Sequence, residues 1–165
     1  MKLADILPKE AWAKLEHEIQ EKFGLMGMVY DKDGFTFTGD HEFVNRLCPA
    51  IKDKKDALAA ICSIASQNMM AEAEKTQKAV ISECDAGMVR VAVPIFVNGT
   101  FMGTAGGCGR KLPDSDIETF LVSKTTGLPE EDVETLAGDV PEITEDQARE
   151  LAAFIKKRLA EMLKA

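Results

Sequence analysis

Long apolar runs, basic residues and histidine are scarce in this 165-residue sequence, and each scarcity excludes a class of protein. The longest apolar runs, such as AVPIFV, are far shorter than the roughly 20 residues of a membrane-spanning helix, and the N-terminus lacks the apolar core of a signal peptide. Lys and Arg number 20 against 28 Asp and Glu, so the net charge of −8 argues against nucleic-acid binding. We therefore expect a cytoplasmic protein that binds neither nucleic acid nor membrane.

Motifs of catalysis are also missing. The chain has no P-loop, no Gly-x-Gly-x-x-Gly fingerprint and no recognisable Ser/His/Asp or Cys/His arrangement. His17 and His41 are its only histidines, and the charged neighbours of His17 place it on the solvated face of a helix. We predict that the protein is not an enzyme. A cysteine-dependent enzyme stays open as a minor alternative, although no base is visible near any thiol.

Apolar spacing and turn residues predict an α+β domain with a five-stranded antiparallel sheet, helices covering one face and a C-terminal helical segment. This order is typical of a PAS-like sensor, with a pocket between sheet and helices. Asn98-Gly99 predicts a tight hairpin, and Pro94 predicts a sheet edge or a bulge. The predicted strands are 25–31, 35–38, 79–84, 88–97 and 100–107, and the predicted helices are 8–23, 42–51, 54–76, 115–123, one from 128, and 144–163.

Four cysteines are unexpected in a chain of this size that looks cytoplasmic, because thiols stay reduced in that compartment. None of them forms a Cys-x2-Cys pair. Two lie on predicted helices and two at predicted strand ends, so all four can face one pocket. Converging thiolates suit zinc or an iron–sulfur cluster, whereas four separate buried thiols are the simpler alternative. The candidate metal ligands are Cys48, Cys62, Cys84 and Cys108.

Other side chains near these positions are candidates for contact with a bound ligand. Arg90 and Arg110 could offset the negative charge of a metal–thiolate site, and the glycines before Cys108 could make room for a cluster. Core packing, solvated arginines and strand bulges are the simpler explanations. The candidate ligand-binding residues are Tyr30, Phe37, Met88, Arg90, Phe101, Gly106 and Gly107.

Several motifs are spaced along the chain: Asp31-Lys32-Asp33-Gly34, Leu47-Cys48-Pro49-Ala50-Ile51, Cys62-Ser63, Glu83-Cys84-Asp85-Ala86-Gly87-Met88, Val93-Pro94-Ile95 and Asn98-Gly99. Together they resemble the PocR sensory domain, a PAS-like ligand-binding module of bacterial and archaeal signalling proteins. The resemblance runs from the first helix to the last and departs from the family pattern at two places. The usual His after the third cysteine is Asp85, and the usual Gly-Gly-Gln is Gly106-Gly107-Cys108.

The resemblance implies one sensory domain over 1–165, with a PAS-like core over 8–112 and C-terminal helices over 113–165. We expect a signal sensor whose cysteines hold an iron–sulfur cluster or zinc and report redox state or a small ligand. A metal-free sensor of small hydrocarbon derivatives, the ligands attributed to the family, is the alternative. The sensor accounts for the whole chain, so we expect a separate output protein, a kinase or a regulator. The terminal helix either pairs with a second copy to form a homodimer or packs on its own sheet.

Overall fold

The computed structural model describes residues 1–39 and 41–164. Its elements follow the predicted order, except that a short helix precedes the first predicted one, the helix predicted over 54–76 is divided, and the strand predicted over 35–38 does not form. A π-helical segment, Leu58–Ser63, lies inside the predicted long helix. Apolar spacing did not reveal this segment, because the interpretation of a helical pattern assumes a constant 3.6 residues per turn. The strands are β1 (Met26–Asp31), β2 (Val80–Glu83), β3 (Val89–Val97) and β4 (Thr100–Arg110); the helices are α1 (Leu3–Ile6), α2 (Lys9–Phe23), α3 (Leu47–Lys52), α4 (Lys55–Ala57), α5 (Ile64–Thr76), α6 (Thr119–Thr126), α7 (Glu130–Ala137) and α8 (Glu145–Met162).

The sheet has four strands in the order β1-β4-β3-β2, with antiparallel neighbours, so the prediction of five strands is wrong. The predicted strand over 35–38 contributes only an isolated bridge between Tyr30 and Thr36. The carboxylate of Asp31 accepts hydrogen bonds from the backbone N–H groups of Asp33 and Phe35, which curls the chain into a turn. Phe35 is left 69 % exposed, so the segment has little apolar surface to bury as a strand.

Helices pack on both faces of the sheet, which corrects the prediction that they cover one face. Val91 and Val93 belong to a core formed with α2 and α8. Ala92 points the other way and packs with Met69 and Ala73 of α5. Successive side chains of a strand alternate between faces. The face toward α5 therefore presents every second residue of β1, β3 and β4, and these residues form one wall of a cleft.

Two turn signals of the sequence are confirmed. Asn98 and Gly99 both have positive φ, as a two-residue hairpin turn between β3 and β4 requires. Pro94 lies beyond the last pair of β2 with β3, Val80 with Ala92, so its missing N–H leaves that ladder intact. A register shift next to it, between Ile95 and Phe96, adds the expected irregularity.

The apolar stripe of helix α8 is buried inside the molecule. Thr144 and Gln147 form a capping box at the start of the helix, each side chain accepting a hydrogen bond from the other's backbone N–H. The buried side chains of the helix join the core with α2 and the sheet, which favours packing on its own sheet over pairing through this stripe. None of the helices in the described ranges combines the length and apolar character required to cross a bilayer. The buried stripe consists of Ala148, Leu151, Ala152, Ile155 and Leu159.

Candidate functional site

A cleft separates the sheet from the helix that begins with the π-helical segment. Its outer part has a volume of about 580 Å³ and leads to an inner chamber of about 20 Å³. Met28 and Tyr30 of β1 and Ser66 of α5 line both parts, so the two spaces adjoin each other. The π-helical segment contributes Cys62 to the outer part. Such segments recur at functional sites because the extra residue alters the directions of nearby side chains.

The inner chamber lies against paired residues of β1, β3 and β4. Cys108 of β4 pairs with Arg90 of β3, and Thr104 pairs with Tyr30 of β1. Paired residues of antiparallel strands project from the same face, so these side chains all point toward α5. The predicted candidates Tyr30, Arg90, Gly106 and Gly107 do line this chamber.

Arg90 is the charged group of the chamber and is only 7 % exposed. Its Nη2 donates to Ser66 Oγ at 2.5 Å and, over 3.5 Å, to the Tyr30 hydroxyl, while Nη1 donates to the Cys62 carbonyl at 3.4 Å. It forms no ion pair with any Asp or Glu of residues 1–39 and 41–164. Buried charges in proteins are normally paired. A buried cation held only by neutral acceptors is therefore unusual.

Arg90 keeps its charge in this setting. Burial works against the charged form, but the nearby Cys108 and the Tyr30 hydroxyl outweigh burial and raise the pKa of the guanidinium above its ordinary value. The inner end of the cleft is therefore cationic. The simple explanation of Arg90 as a solvated strand-end residue is wrong.

Arg110 does not share the chamber, which corrects the expectation that two arginines flank the thiols. Its Nε donates to the Gly24 carbonyl at 2.7 Å and its Nη1 to the Glu142 carbonyl at 3.0 Å. A bulge explains this, because β3 pairs Arg90 with Cys108 but Val89 with Arg110. The extra residue sends Cys108 and Arg110 to opposite faces.

The four cysteines separate into two pairs. Cys62 lines the outer cleft and Cys108 the inner chamber. Cys48 and Cys84 are buried in an apolar cluster formed by the π-helical segment, α3, α6 and α7. Cys84 does not end a strand but follows β2 in a turn, with its N–H donating to the Met88 carbonyl. We expected all four thiols to face one pocket, but Cys62 lines the outer cleft, Cys108 lines the inner chamber, and the other two lie in the core.

Cys48 is held in place by its neighbours. Asn45 Nδ2 donates to Cys48 Sγ at 3.3 Å and to the Gly109 carbonyl at 2.8 Å, while Asn45 Oδ1 accepts from the Cys48 N–H at 2.7 Å. The Cys48 thiol also lies 3.7 Å from Met88 Sδ. These contacts leave the sulfur of Cys48 packed as a small apolar group.

Burial favours the neutral form of these thiols. It raises the pKa of Cys48 to about 12, and the neighbouring Cys108 adds to the rise. Burial also raises the pKa values of Cys62 and Cys84, with Lys52 and Arg90 opposing the rise at Cys62. These three thiols are therefore protonated at neutral pH.

The geometry does not support the predicted metal centre. Across residues 1–39 and 41–164, no group of three or more His, Cys, Asp or Glu side chains is arranged to hold a metal ion. A tetrahedral zinc would require four sulfurs at about 2.3 Å from one point. The four thiols influence one another's pKa values across the site, but half of them belong to a packed core.

Three predicted ligand contacts lie elsewhere. Phe37 packs against the core on the opposite face of the sheet, with α2 and α8. Phe101 stacks edge-to-face on Phe96 beside the hairpin turn, with ring centroids 5.5 Å apart. Met88 is buried behind the chamber against Cys48. Placing aromatics on a strand does not determine which face they occupy, and Phe37 is not on a strand at all.

Sequence reasoning missed two contributors to the cleft. Ser66 supplies the shortest hydrogen bond to Arg90, and Met70 lines the outer part. Both follow Cys62 at intervals of four, the spacing of one helical face. This spacing is visible in the sequence, but the face lies beside the more apolar residues Ile61, Ala65 and Met69, which are buried.

Comparison with known proteins gives one result. The family model described as the sensory domain found in PocR matches residues 5–164. The match spans nearly the whole chain and confirms the resemblance drawn from the cysteine and Val-Pro-Ile motifs. Searches of curated proteins and of solved structures found no match.

Proposed function

The chain belongs to the PocR sensory-domain family, and we propose that it senses a small molecule that binds in the cleft between the sheet and α5. One observation carries the proposal: the cleft and the chamber that adjoins it lead to the buried cation Arg90, for which no ion pair exists among residues 1–39 and 41–164. Ligand sites typically combine apolar walls with a few polar groups that fix the orientation of the ligand. Here Met28 and Met70 supply apolar wall, and Tyr30, Ser66 and Arg90 supply the polar groups.

The helix over the cleft is suited to transmit occupancy. The carbonyl of Cys62, in the π-helical segment, accepts a hydrogen bond from Arg90, and Cys62 also lines the cleft. A ligand that engages Arg90 would compete with this carbonyl and with Ser66. We propose that this exchange shifts the helix and that a separate output protein, a kinase or a regulator, reads the shift. A homodimer would use a face of α8 other than its buried stripe.

The test is ligand binding to the full chain with and without a blocked cleft. Small alcohols, diols, amides and carboxylates are screened by thermal unfolding, and hits are titrated by calorimetry. A ligand at 100 times its Kd stabilises the protein by about 2.7 kcal/mol. Ala71 is exposed and lines the outer cleft, so A71W should abolish the binding of a hit. Ala160, an exposed residue of α8, provides the matched control A160W, which should bind normally.

Two outcomes contradict this proposal. If no compound of the screen binds, the cleft is not a site for these ligands. If a hit binds A71W as tightly as the unaltered chain, it occupies another part of the molecule. Retained folding of A71W, checked by circular dichroism, makes either result interpretable.

A thiophilic metal or an iron–sulfur cluster is a second candidate for the sensed group. The observation that favours it is the mutual influence of the thiols, because the pKa of Cys48 responds to Cys108, Cys62 and Cys84. The packing of Cys48 and Cys84 in an apolar cluster is against it. Anaerobic purification, metal analysis and an absorption spectrum decide between a metal or cluster and a small organic ligand. A colourless protein without iron or zinc removes this candidate.

A further inference from the structure

We propose that the ligand of this cleft carries a carboxylate, which enters the inner chamber and pairs with Arg90. This inference rests on the proposed function and adds the chemical class of the ligand. It follows from the charge of Arg90, from its unused donors and from the dimensions of the two spaces.

The first argument is electrostatic. A guanidinium that is only 7 % exposed loses most of its hydration, and in proteins an anionic partner normally compensates for this lost hydration. In the described ranges, 1–39 and 41–164, no Asp or Glu forms an ion pair with Arg90. The cleft is the side from which a counter-ion can arrive, because Arg90 lines the chamber at its inner end.

The second argument is the supply of hydrogen bonds. A guanidinium has five N–H donors in a planar fork. Arg90 makes three hydrogen bonds, and only the one to Ser66 is short, since those to the Cys62 carbonyl and the Tyr30 hydroxyl measure 3.4 and 3.5 Å. A carboxylate accepts two parallel bonds from such a fork and would satisfy donors that the protein leaves weakly bonded or free.

The third argument is size. A site needs about 10–15 Å³ to hold one water molecule, so the inner chamber of about 20 Å³ admits one small polar group. The outer cleft of about 580 Å³ has room for the rest of the ligand. Met28, Leu58 and Met70 provide apolar surface there. These dimensions fit a short aliphatic chain with a terminal carboxylate.

The other charged residues of the cleft do not change the assignment of the carboxylate to Arg90. Lys32 and Lys52 line the outer part together with Asp33 and Glu74, so the two signs balance there. Only the inner end has an excess charge, which comes from Arg90. The position of the carboxylate is thus determined by Arg90, and the outer residues are left to select the tail.

The experiment compares carboxylates with amides of the same chain length. Sodium acetate, butyrate and hexanoate are titrated into the full chain at constant ionic strength, beside acetamide, butyramide and hexanamide. We expect at least one carboxylate to bind 10-fold or more tightly than its amide, since an uncharged head leaves the buried cation unpaired. Sodium chloride at equal concentration should give no shift in thermal unfolding.

Variants then assign the effect to Arg90. R90Q removes the charge and should abolish the preference for the carboxylate, whereas R90K keeps a charge and should retain part of it. K156Q, which removes a positive charge from α8 beside a different groove, should bind like the unaltered chain. If the Arg90 variants do not fold, the comparison of acid with amide in the unaltered chain still decides the question.

Each remaining outcome has a definite meaning. Amides or alcohols that bind as tightly as the acids overturn the carboxylate assignment and leave the proposed sensing function intact. No binding by any of these compounds counts against both. A thiolate absorbance in the ultraviolet that disappears in C108S would show that Arg90 already has an internal counter-ion, and this would also overturn the inference.

Discussion

Arg90 Nη2 of β3 donates a hydrogen bond of 2.5 Å to Ser66 Oγ of α5, and this bond joins the sheet to the helix across the inner end of the cleft. Arg90 is buried and Ser66 is half-buried, so this bond is less exposed to water than a contact on the protein surface. The two residues lie 24 positions apart in the chain, so the bond is a long-range contact between β3 and α5.

The first prediction concerns this bond. Ser66→Ala deprives a buried cation of its shortest acceptor, so we expect the free energy of unfolding to fall by about 1–3 kcal/mol. Urea denaturation at pH 7 measures the change. Ser63→Ala is the matched control, because Ser63 lines the outer cleft but does not contact Arg90, and its effect should stay within about 0.5 kcal/mol. Equal effects of the two substitutions would contradict the importance of the bond.

The second prediction concerns the close approach of β4 to β3. A Cβ atom on Gly106 would lie 1.7 Å from the carbonyl oxygen of Val91, which cannot move without disturbing the ladder. We expect Gly106→Ala to destabilise the protein by about 3 kcal/mol or more. Gly138→Ala serves as control, since its new Cβ would meet the carbonyl oxygens of Thr135 and Glu134 at 3.4 and 3.6 Å, which are ordinary contacts. Thermal unfolding of both variants tests this, and a Gly106→Ala protein as stable as the control would refute it.

The third prediction concerns alkaline pH. Burial raises the pKa of Cys48 from its ordinary value of 9.0 to about 12, so between these values the unfolded chain loses a proton that the folded chain keeps. The stabilisation from the protonated thiol is complete below pH 9 and is lost as the pH rises toward 12.

Comparison with Cys48→Ala isolates this effect from other groups that titrate at high pH. We expect the difference in free energy of unfolding between the unaltered chain and the variant to be constant below pH 8 and to shrink above pH 9, as followed by urea denaturation. A difference that stays constant through pH 10.5 would mean that the thiol of Cys48 is not shielded.

The fourth prediction concerns the contact between α2 and α8. Arg158 donates from Nε and Nη2 to the two carboxylate oxygens of Glu18 at 2.7 and 3.0 Å, and the pair is about four-fifths buried. Hydrogen bonding to Arg158 lowers the pKa of Glu18 from its ordinary value of 4.5. The ion pair therefore stabilises the fold above pH 4.5, and its contribution disappears as the pH falls through the lowered pKa.

Glu18→Gln should reduce the free energy of unfolding by about 0.5–1.5 kcal/mol at pH 7, and the difference should shrink as the pH falls below 4.5. Chemical denaturation at pH 7 and at successively lower pH values measures this difference. Arg149→Ala is the control: its pairs with Glu145 and Asp146 are exposed, so the change should stay below about 0.5 kcal/mol. A Glu18→Gln effect that does not depend on pH would assign the loss to packing.

Much of the local structure was determined by the sequence alone. The Thr144–Gln147 box, the Asn98-Gly99 turn and the end of α2 at Gly24 all follow from short-range chemistry, because capping side chains and positive φ act within a few residues. The spaced cysteine and Val-Pro-Ile motifs were sufficient to indicate the family.

Only the tertiary structure decided which faces these elements present. A bulge of one residue in β4 sends Cys108 toward Arg90 and turns Arg110 to the opposite face, although ordinary alternation would place Cys108 and Arg110 together. The π-helical segment and the absence of a strand at 35–38 likewise depend on packing partners that are distant in the chain.

The sequence thus determined that this is a sensory domain with four cysteines and an arginine near the end of a sheet. The structure decided that two of the cysteines belong to the core and that Arg90, not the thiols as a set, is the distinctive group of the cleft. The physical reason is burial. The ionisation and the pairing of a charged group or a thiol depend on desolvation and on neighbouring groups. Both of these arise from contacts between segments far apart in the chain.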